Sequence, residues 1–370
     1  MDRRTFVKAS CLGSAGLFLG FDPNAPGQEN VTLPEPPPIE VHGLPQAKHS
    51  PLGMPGLFPG RVVELSDPKS IVRNHVSQPI VGIMIERGMK ELTGESSLRA
   101  AWSRFIEPTD VVGIKINPSG APACCSSPEI VREIIGGLQW VGVPARNIIV
   151  YDRYGYEIDV GSYQALLPPG VLVIGIQDGF VDAAGYDPSV YCEANFFGEW
   201  ETRSYMASVV AHRLTKIINV PTMKDHSASG VTGCLKNLGY GTFNNVARSH
   251  RAPYSFTVLH IMDGMRQVWH GGPLTQVQDF IYQAGTLLLG TDPVAMDTVE
   301  LEAIEKKRRE EGSPSVWDRD PKNLTANYDE FFHDPSKNLF YRRPGHIAAA
   351  GKLGLGIADL KQIDHRRISA

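Results

Sequence analysis

Apolar positions in this chain fall into two kinds of pattern, and their alternation predicts the architecture. Val111 to Asn117 is a short apolar run rich in β-branched residues, the signature of a buried strand. A Pro- and Gly-containing loop leads from it to Ser126-Ser127-Pro128-Glu129, which reads as a helix start. Ser126 or Ser127 can cap, Pro128 suits the first turn, and Glu129 completes a capping box if Ser126 is the cap. Ile130, Ile134 and Leu138 then recur every four residues, and Gly142 and Pro144 stop the helix before a second strand, Asn147 to Asp152. Strand, helix and strand in this order predict a right-handed crossover between parallel strands, with both C-terminal ends on one rim.

Further strands are expected at Arg61 to Leu65, Val171 to Ile176, Leu214 to Val220, Thr257 to Met262 and Thr286 to Leu289. Helices are expected at Gln276 to Ala284 and Pro293 to Lys306, with helical cover between the first strand and Arg104. The fold class that follows is α/β: a mostly parallel β-sheet sandwiched by helices in three layers. Ser313 to Arg343 is polar and aromatic without a period, so it reads as a long wrap before a short helix near His346 to Ala350. The Lys306 to Glu311 charge run reads as a solvated helix end.

The first residues belong to none of this. Arg3 and Arg4 stand with Phe6 and Lys8 ahead of a mild apolar stretch, Ala9 to Phe21, in the manner of a signal read by the twin-arginine translocase. That predicts a periplasmic or otherwise exported protein carried across the membrane already folded. The stretch is shorter than the roughly 20 residues a membrane span needs. Cys11 stands near the start of the apolar run, most of which follows it, the wrong order for a lipid anchor. The expected organisation is a signal region over 1–26, a Pro-rich linker over 27–59 that includes Pro34, Pro36, Pro37 and Pro38, and a single α/β domain over 60–370.

A net charge of -4 offers no basic surplus for a phosphate backbone, so nucleic acid is not expected as a partner. The cysteines Cys11, Cys124, Cys125, Cys192 and Cys234 lack the Cys-x-x-Cys spacing of a zinc or iron–sulfur site, and no iron–sulfur cluster bound by this chain is expected. Adjacent Cys124 and Cys125 read as packed thiols. There is no Gly-x-Ser-x-Gly elbow, and His212, His250, His260 and His270 lack an i, i+4 partner of the metalloprotease kind, which leaves them surface or packing roles.

Polar residues collect where the apolar runs stop. Parallel strands would present Lys115 and Asn117, then Asp152, then Lys224, Asp225 and His226, then Asp263 and Asp292, on the rim where open α/β sheets bind ligands. The segment from Asn219 to Gly239 adds Gly230, Thr232 and Gly233 at a helix start, where free amides favour an anion, and Lys236 and Asn237 one turn later. It is not a Walker loop, because its Lys follows the second Gly by three positions with no Ser or Thr after it. The candidate roles are His226, Lys224 and Lys236 for chemistry and Lys115, Asn117, Gly230, Thr232, Gly233 and Asn237 for ligand binding. Asp152, Asp263 and Asp292 are the candidates for a divalent metal, which an imidazole such as His226 would complete.

Several of these runs together resemble a known family. Val111-Val-Gly-Ile-Lys-Ile-Asn117, the Pro128 helix into Ile148-Ile-Val-Tyr-Asp152, Asp263-Gly264, Gly271-Gly272-Pro273 and Thr291-Asp-Pro-Val-Ala-Met-Asp297 are similar to the domain of unknown function 362. The most specific part is Lys-x-His-x-x-x-Gly-x-Thr-Gly-x-Leu-Lys-Asn, from Lys224 to Asn237. The likeness spans Gly60 to about Leu360. It implies an α/β fold with Lys115, Lys224, His226, Lys236, Asn237, Asp263 and Asp292 as site candidates, and supplies no reaction. Some relatives append a ferredoxin-like module with clustered cysteines, which this chain lacks. Two functions remain open. One is an exported enzyme, metal-assisted or redox-coupled, that acts on a small anionic ligand. The other is a non-catalytic periplasmic protein that captures a ligand or serves a redox partner.

Overall fold

The computed structural model describes residues 40–43, 50–177, 185–193, 202–245, 257–275, 277–340 and 343–369. The signal region over 1–26, most of the linker, and His250 lie outside the described residues.

Ten strands form the main sheet: β1 (Arg61–Ser66), β2 (Val112–Lys115), β3 (Ile148–Tyr154), β4 (Leu172–Gln177), β5 (Lys216–Asn219), β6 (Thr222–His226), β7 (Gly230–Val231), β8 (Thr257–Val268), β9 (Ile281–Gly290) and β10 (Asp364–Ser369). Their order is β10-β1-β9-β8-β5-β2-β3-β4, with β6 alongside the far end of β8 and β7 closing a hairpin on β6. Every neighbour pair from β8 to β4 is parallel, as is β10 with β1, whereas β9 runs against both of its neighbours.

Helices α1 (Gln78–Thr93), α2 (Leu98–Ser103) and α3 (Pro128–Val141) cover one face; α5 (Gly233–Thr242) and α6 (Pro293–Glu310) pack on the other. Short α4 (Gly155–Val160) follows β3 at the rim, and α7 (Gly345–Lys352) packs on α6. The alternation of a strand buried on both sides is visible in β9, where Leu287 and Leu289 join the core under α1 to α3 while Leu288 joins Met262 and Met296 under α6. The fold is therefore α/β in three layers on a mostly parallel sheet. Ile130, Ile134 and Leu138 form the buried stripe of α3, which stops at Gly142 in the left-handed conformation (φ 116°).

Two expectations need correction, and one strand was not anticipated. Gln276 to Ala284 is not a helix: Gln278–Phe280 makes a single 3-10 turn and Ile281 begins β9, because this segment is drawn between β8 and β1 and gives its backbone hydrogen bonds to both. Neither serine side chain caps α3. Ser126 Oγ instead donates to Val220 O at 2.6 Å and accepts from Asn117 N at 2.7 Å, which ties the ends of two strands together. The last strand, β10, has the sequence Asp-His-Arg-Arg-Ile-Ser, a charged edge without an apolar face that pattern could reveal.

Candidate functional site at the strand ends

Lys115 is the last residue of β2 and pairs with Tyr151 on one side and Asn219 on the other. Its ammonium donates to Asp152 Oδ1, to Ile116 O at 2.9 Å and to Asn237 Oδ1 at 3.2 Å. An ammonium has three donors, so all are spent. Lys224, from β6, is saturated in the same way by Asn117 Oδ1 at 2.8 Å, Ser119 O at 2.5 Å and Cys124 O at 3.2 Å. Two asparagines link the lysines: Asn117 Nδ2 donates to Asn237 Oδ1 at 3.2 Å, and Asn237 Nδ2 donates to Asn219 Oδ1 at 2.8 Å. Asn219 in turn donates to Nδ1 of buried His260 at 3.1 Å. Lys115 and Lys224 are fully buried, and Asp152, Asn117 and Asn237 nearly so. A network this complete fixes its charges in place.

Lys236 differs. It is 4 % exposed, and its ammonium makes no hydrogen bond with the described residues; it lies 4.2 Å from the centroid of the Tyr240 ring, one helical turn on. Burial first, and then the positive charges of Lys115 and Lys224, push its pKa down to about 7. Burial also lowers that of Lys115, against the pull of Asp152. Glu157, in the first turn of α4, accepts from Ser119 Oγ at 2.7 Å, and burial together with Asp152 raises its carboxyl above the usual range. Tyrosines complete the wall. Tyr154 stacks on half-exposed Tyr156 at 5.3 Å and meets Tyr240 edge-on at 6.2 Å, while the Arg153 guanidinium lies over Tyr240 at 5.0 Å.

The remaining candidates lie elsewhere in the fold. The amides at the start of α5 already hold an anion, the protein's own Asp297, whose carboxylate accepts from Cys234 N and from Leu235 N at 3.0 Å. Gly233 (φ 60°) permits this approach, since a Cβ there would lie 2.4 Å from Asp297 Cγ. Thr232 and Gly230 are buried in the same turn, Gly230 against Pro344. Nδ1 of His226 accepts from Ala228 N at 3.0 Å within its own turn.

Nor do the three aspartates proposed for a metal converge. Asp152 holds Lys115. Asp263 sits within β8 and accepts from Ser127 N at 2.6 Å, beneath the start of α3, and from Met265 N at 2.8 Å. Asp292 caps α6 and also accepts from Gly60 N and Ile357 N, all at about 3.0 Å. Its place on the shared rim is lost because β9 is antiparallel and ends at the opposite side of the sheet. Among the described residues no group of three or more His, Cys, Asp or Glu side chains could hold a metal ion.

Sequence reading missed Glu157, Tyr240, Asp297 and Glu300. Glu300 accepts from Lys224 N at 3.0 Å, and with Asp297 one turn earlier on α6 it secures both ends of the loop from β6 to α5. Asp297 closed one of the quoted runs; Tyr240 lay three residues past the most specific motif. Of the described histidines among those given surface or packing roles, His260 and His270 are buried and His212 pairs with Asp187 at the surface.

The family described as Domain of unknown function (DUF362) matches residues 112–302, more than half of the chain. The chain belongs to this family. The DUF362 segment contains every member of the lysine and asparagine network together with Asp297 and Glu300, and leaves β1, α1, α7 and β10 outside. No curated protein and no solved structure matches the chain.

Proposed function

We propose that this chain is an exported protein that binds a small anionic ligand at the strand-end site, with Lys236 as the residue that meets it. The observation that carries the reading is the contrast among three buried lysines: Lys115 and Lys224 have spent their donors on the protein, whereas Lys236 has three donors and no acceptor among the described residues. An ammonium is seldom buried without a partner, and an arriving anion would supply the missing acceptors. The two saturated lysines contribute fixed positive charge, and the tyrosines give the site an apolar wall. Export rests on the Arg3 and Arg4 signal pattern.

Calorimetric titration with inorganic phosphate and with succinate tests the reading on the full chain. Saturable binding of at least one of them, weakened at least tenfold in Lys236→Met and unaltered in Lys352→Met on α7, is the expected result. Equal affinities in wild type and Lys236→Met, or no saturable binding of either anion, would overturn it.

A further inference from the structure

Lys236 offers more than charge. We propose that its Nζ is a nucleophile that forms a reversible imine with a small carbonyl-bearing anion, of which a 2-oxo acid is the simplest, and this rests on the anion-binding reading above. An amine that forms imines must be kept from hydrogen-bond acceptors, held away from water and placed beside the charge that recruits its substrate. Lys236 meets all three conditions: it is 4 % exposed, its ammonium lies 4.2 Å from the centroid of the Tyr240 ring, and it stands beside Lys115 and Lys224. Neighbouring cations and burial are also the two means by which proteins keep a lysine unprotonated near neutral pH, and both act here.

The chemistry needs no oxidant and no cofactor. The Nζ lone pair attacks the carbonyl carbon, forming the C–N bond while the C=O π pair moves onto oxygen. A proton passes from nitrogen to that oxygen to give the carbinolamine. Protonation of the hydroxyl then allows water to leave as the nitrogen lone pair closes the C=N bond. Glu157 has the qualities of the acid for that step. Its carboxyl is held above its usual range by burial and by Asp152, it is oriented by Ser119, and it is close enough to Lys236 for the charge of each to shift the other. Hydrolysis reverses the sequence and returns the free amine. Lys115 and Lys224, immobilised by their networks, would attract the carboxylate of the substrate toward Lys236. Among the described residues, the titratable and charged groups that share this space are Lys115, Lys224, Asp152, Arg153, Tyr154, Tyr156, Glu157, Tyr186 and Tyr240.

Incubation of the full chain with pyruvate and cyanoborohydride, followed by peptide mass mapping, tests the idea, because the hydride converts an imine into a stable secondary amine. One adduct per chain on the peptide that contains Lys236 is expected, in large excess over exposed lysines such as Lys352. Lactate, which has the carboxylate but no carbonyl, should suppress labelling without being trapped. Lys236→Arg should lose the adduct while its circular dichroism and melting temperature stay close to wild type. Labelling of Lys236 no faster than of Lys352 in wild type overturns the imine, and this result does not depend on how any variant folds. If phosphate or succinate still binds in that case, the imine alone fails; if none of the anions binds, the site assignment itself fails.

Discussion

At the scale of single residues, three lysines of one type behave in two ways because their surroundings differ in hydrogen-bond acceptors. Lys115 and Lys224 are buried with three acceptors each, which compensates their desolvation, whereas Lys236 has an aromatic face. The difference has a thermodynamic signature. In the unfolded chain Lys236 keeps its proton up to about pH 10.4, but in the folded protein it releases it near 7. Between those values the unfolded state binds more protons, so this residue makes stability rise with pH and withdraws that contribution as pH falls toward the folded value. The limiting slope is about 1.4 kcal/mol per pH unit. Urea unfolding of wild type and Lys236→Met from pH 7 to 10 should therefore show a gap that shifts in favour of wild type as pH rises. A gap that stays constant across this window would show that Lys236 is not a buried base. Lys236 could be suspected from sequence because it closes a Gly-rich turn at a helix start. Its lack of an acceptor was not legible, since acceptors reach the other two lysines through the fold, Asn237 to Lys115 across 122 positions and Asn117 to Lys224 across 107.

At the scale of elements, the strand, helix and strand from β2 to β3 were readable because local signals agreed: β-branched runs, a proline at the first helical turn, a four-residue apolar stripe and a terminating glycine. The loop from β6 through β7 to α5 was misread for a physical reason. Its glycines and small residues do favour an anion at the helix start, but α6 already supplies one through Asp297, and no local pattern announces a partner about sixty residues downstream. This makes α6 the element that sets where α5 begins, and hence where Lys236 and Asn237 point. Burial raises the pKa of Asp297 to about 7 even as two backbone amides favour its ionised form. Asp297→Ala would leave the Cys234 and Leu235 amides buried without acceptors, each a loss on the order of 1–3 kcal/mol. A large fall in melting temperature is expected, together with weaker anion binding per folded molecule, because α5 would lose its anchor. Full stability in Asp297→Ala, measured by urea unfolding, would remove α6 from this role.

At the scale of the whole molecule, the reversed strand β9 decides which sequence expectations survive. A shared rim needs its strands to run the same way; Lys115, Asp152 and Lys224 come from strands that do, and they meet, while Asp292 follows β9, which opposes both of its neighbours and ends at the opposite side. The direction of a strand is a property of the assembled sheet, so it lies beyond what a local pattern can carry. The same assembly bears on export. The lysine network draws on β2, β3, β5, β6 and α5, so the site is complete only when the domain has folded. A route that moves folded proteins would suit such a chain. If the Arg3 and Arg4 pattern is its signal, changing both to Lys should strand the precursor in the cytoplasm, as fractionation and immunoblotting would show. The stranded protein should nevertheless melt at the temperature of the exported form and bind the same anions, because its domain is unchanged. Arrival of the double variant in the periplasm at wild-type levels would exclude this route, and a stranded protein that fails to fold would show that export contributes to completing the site.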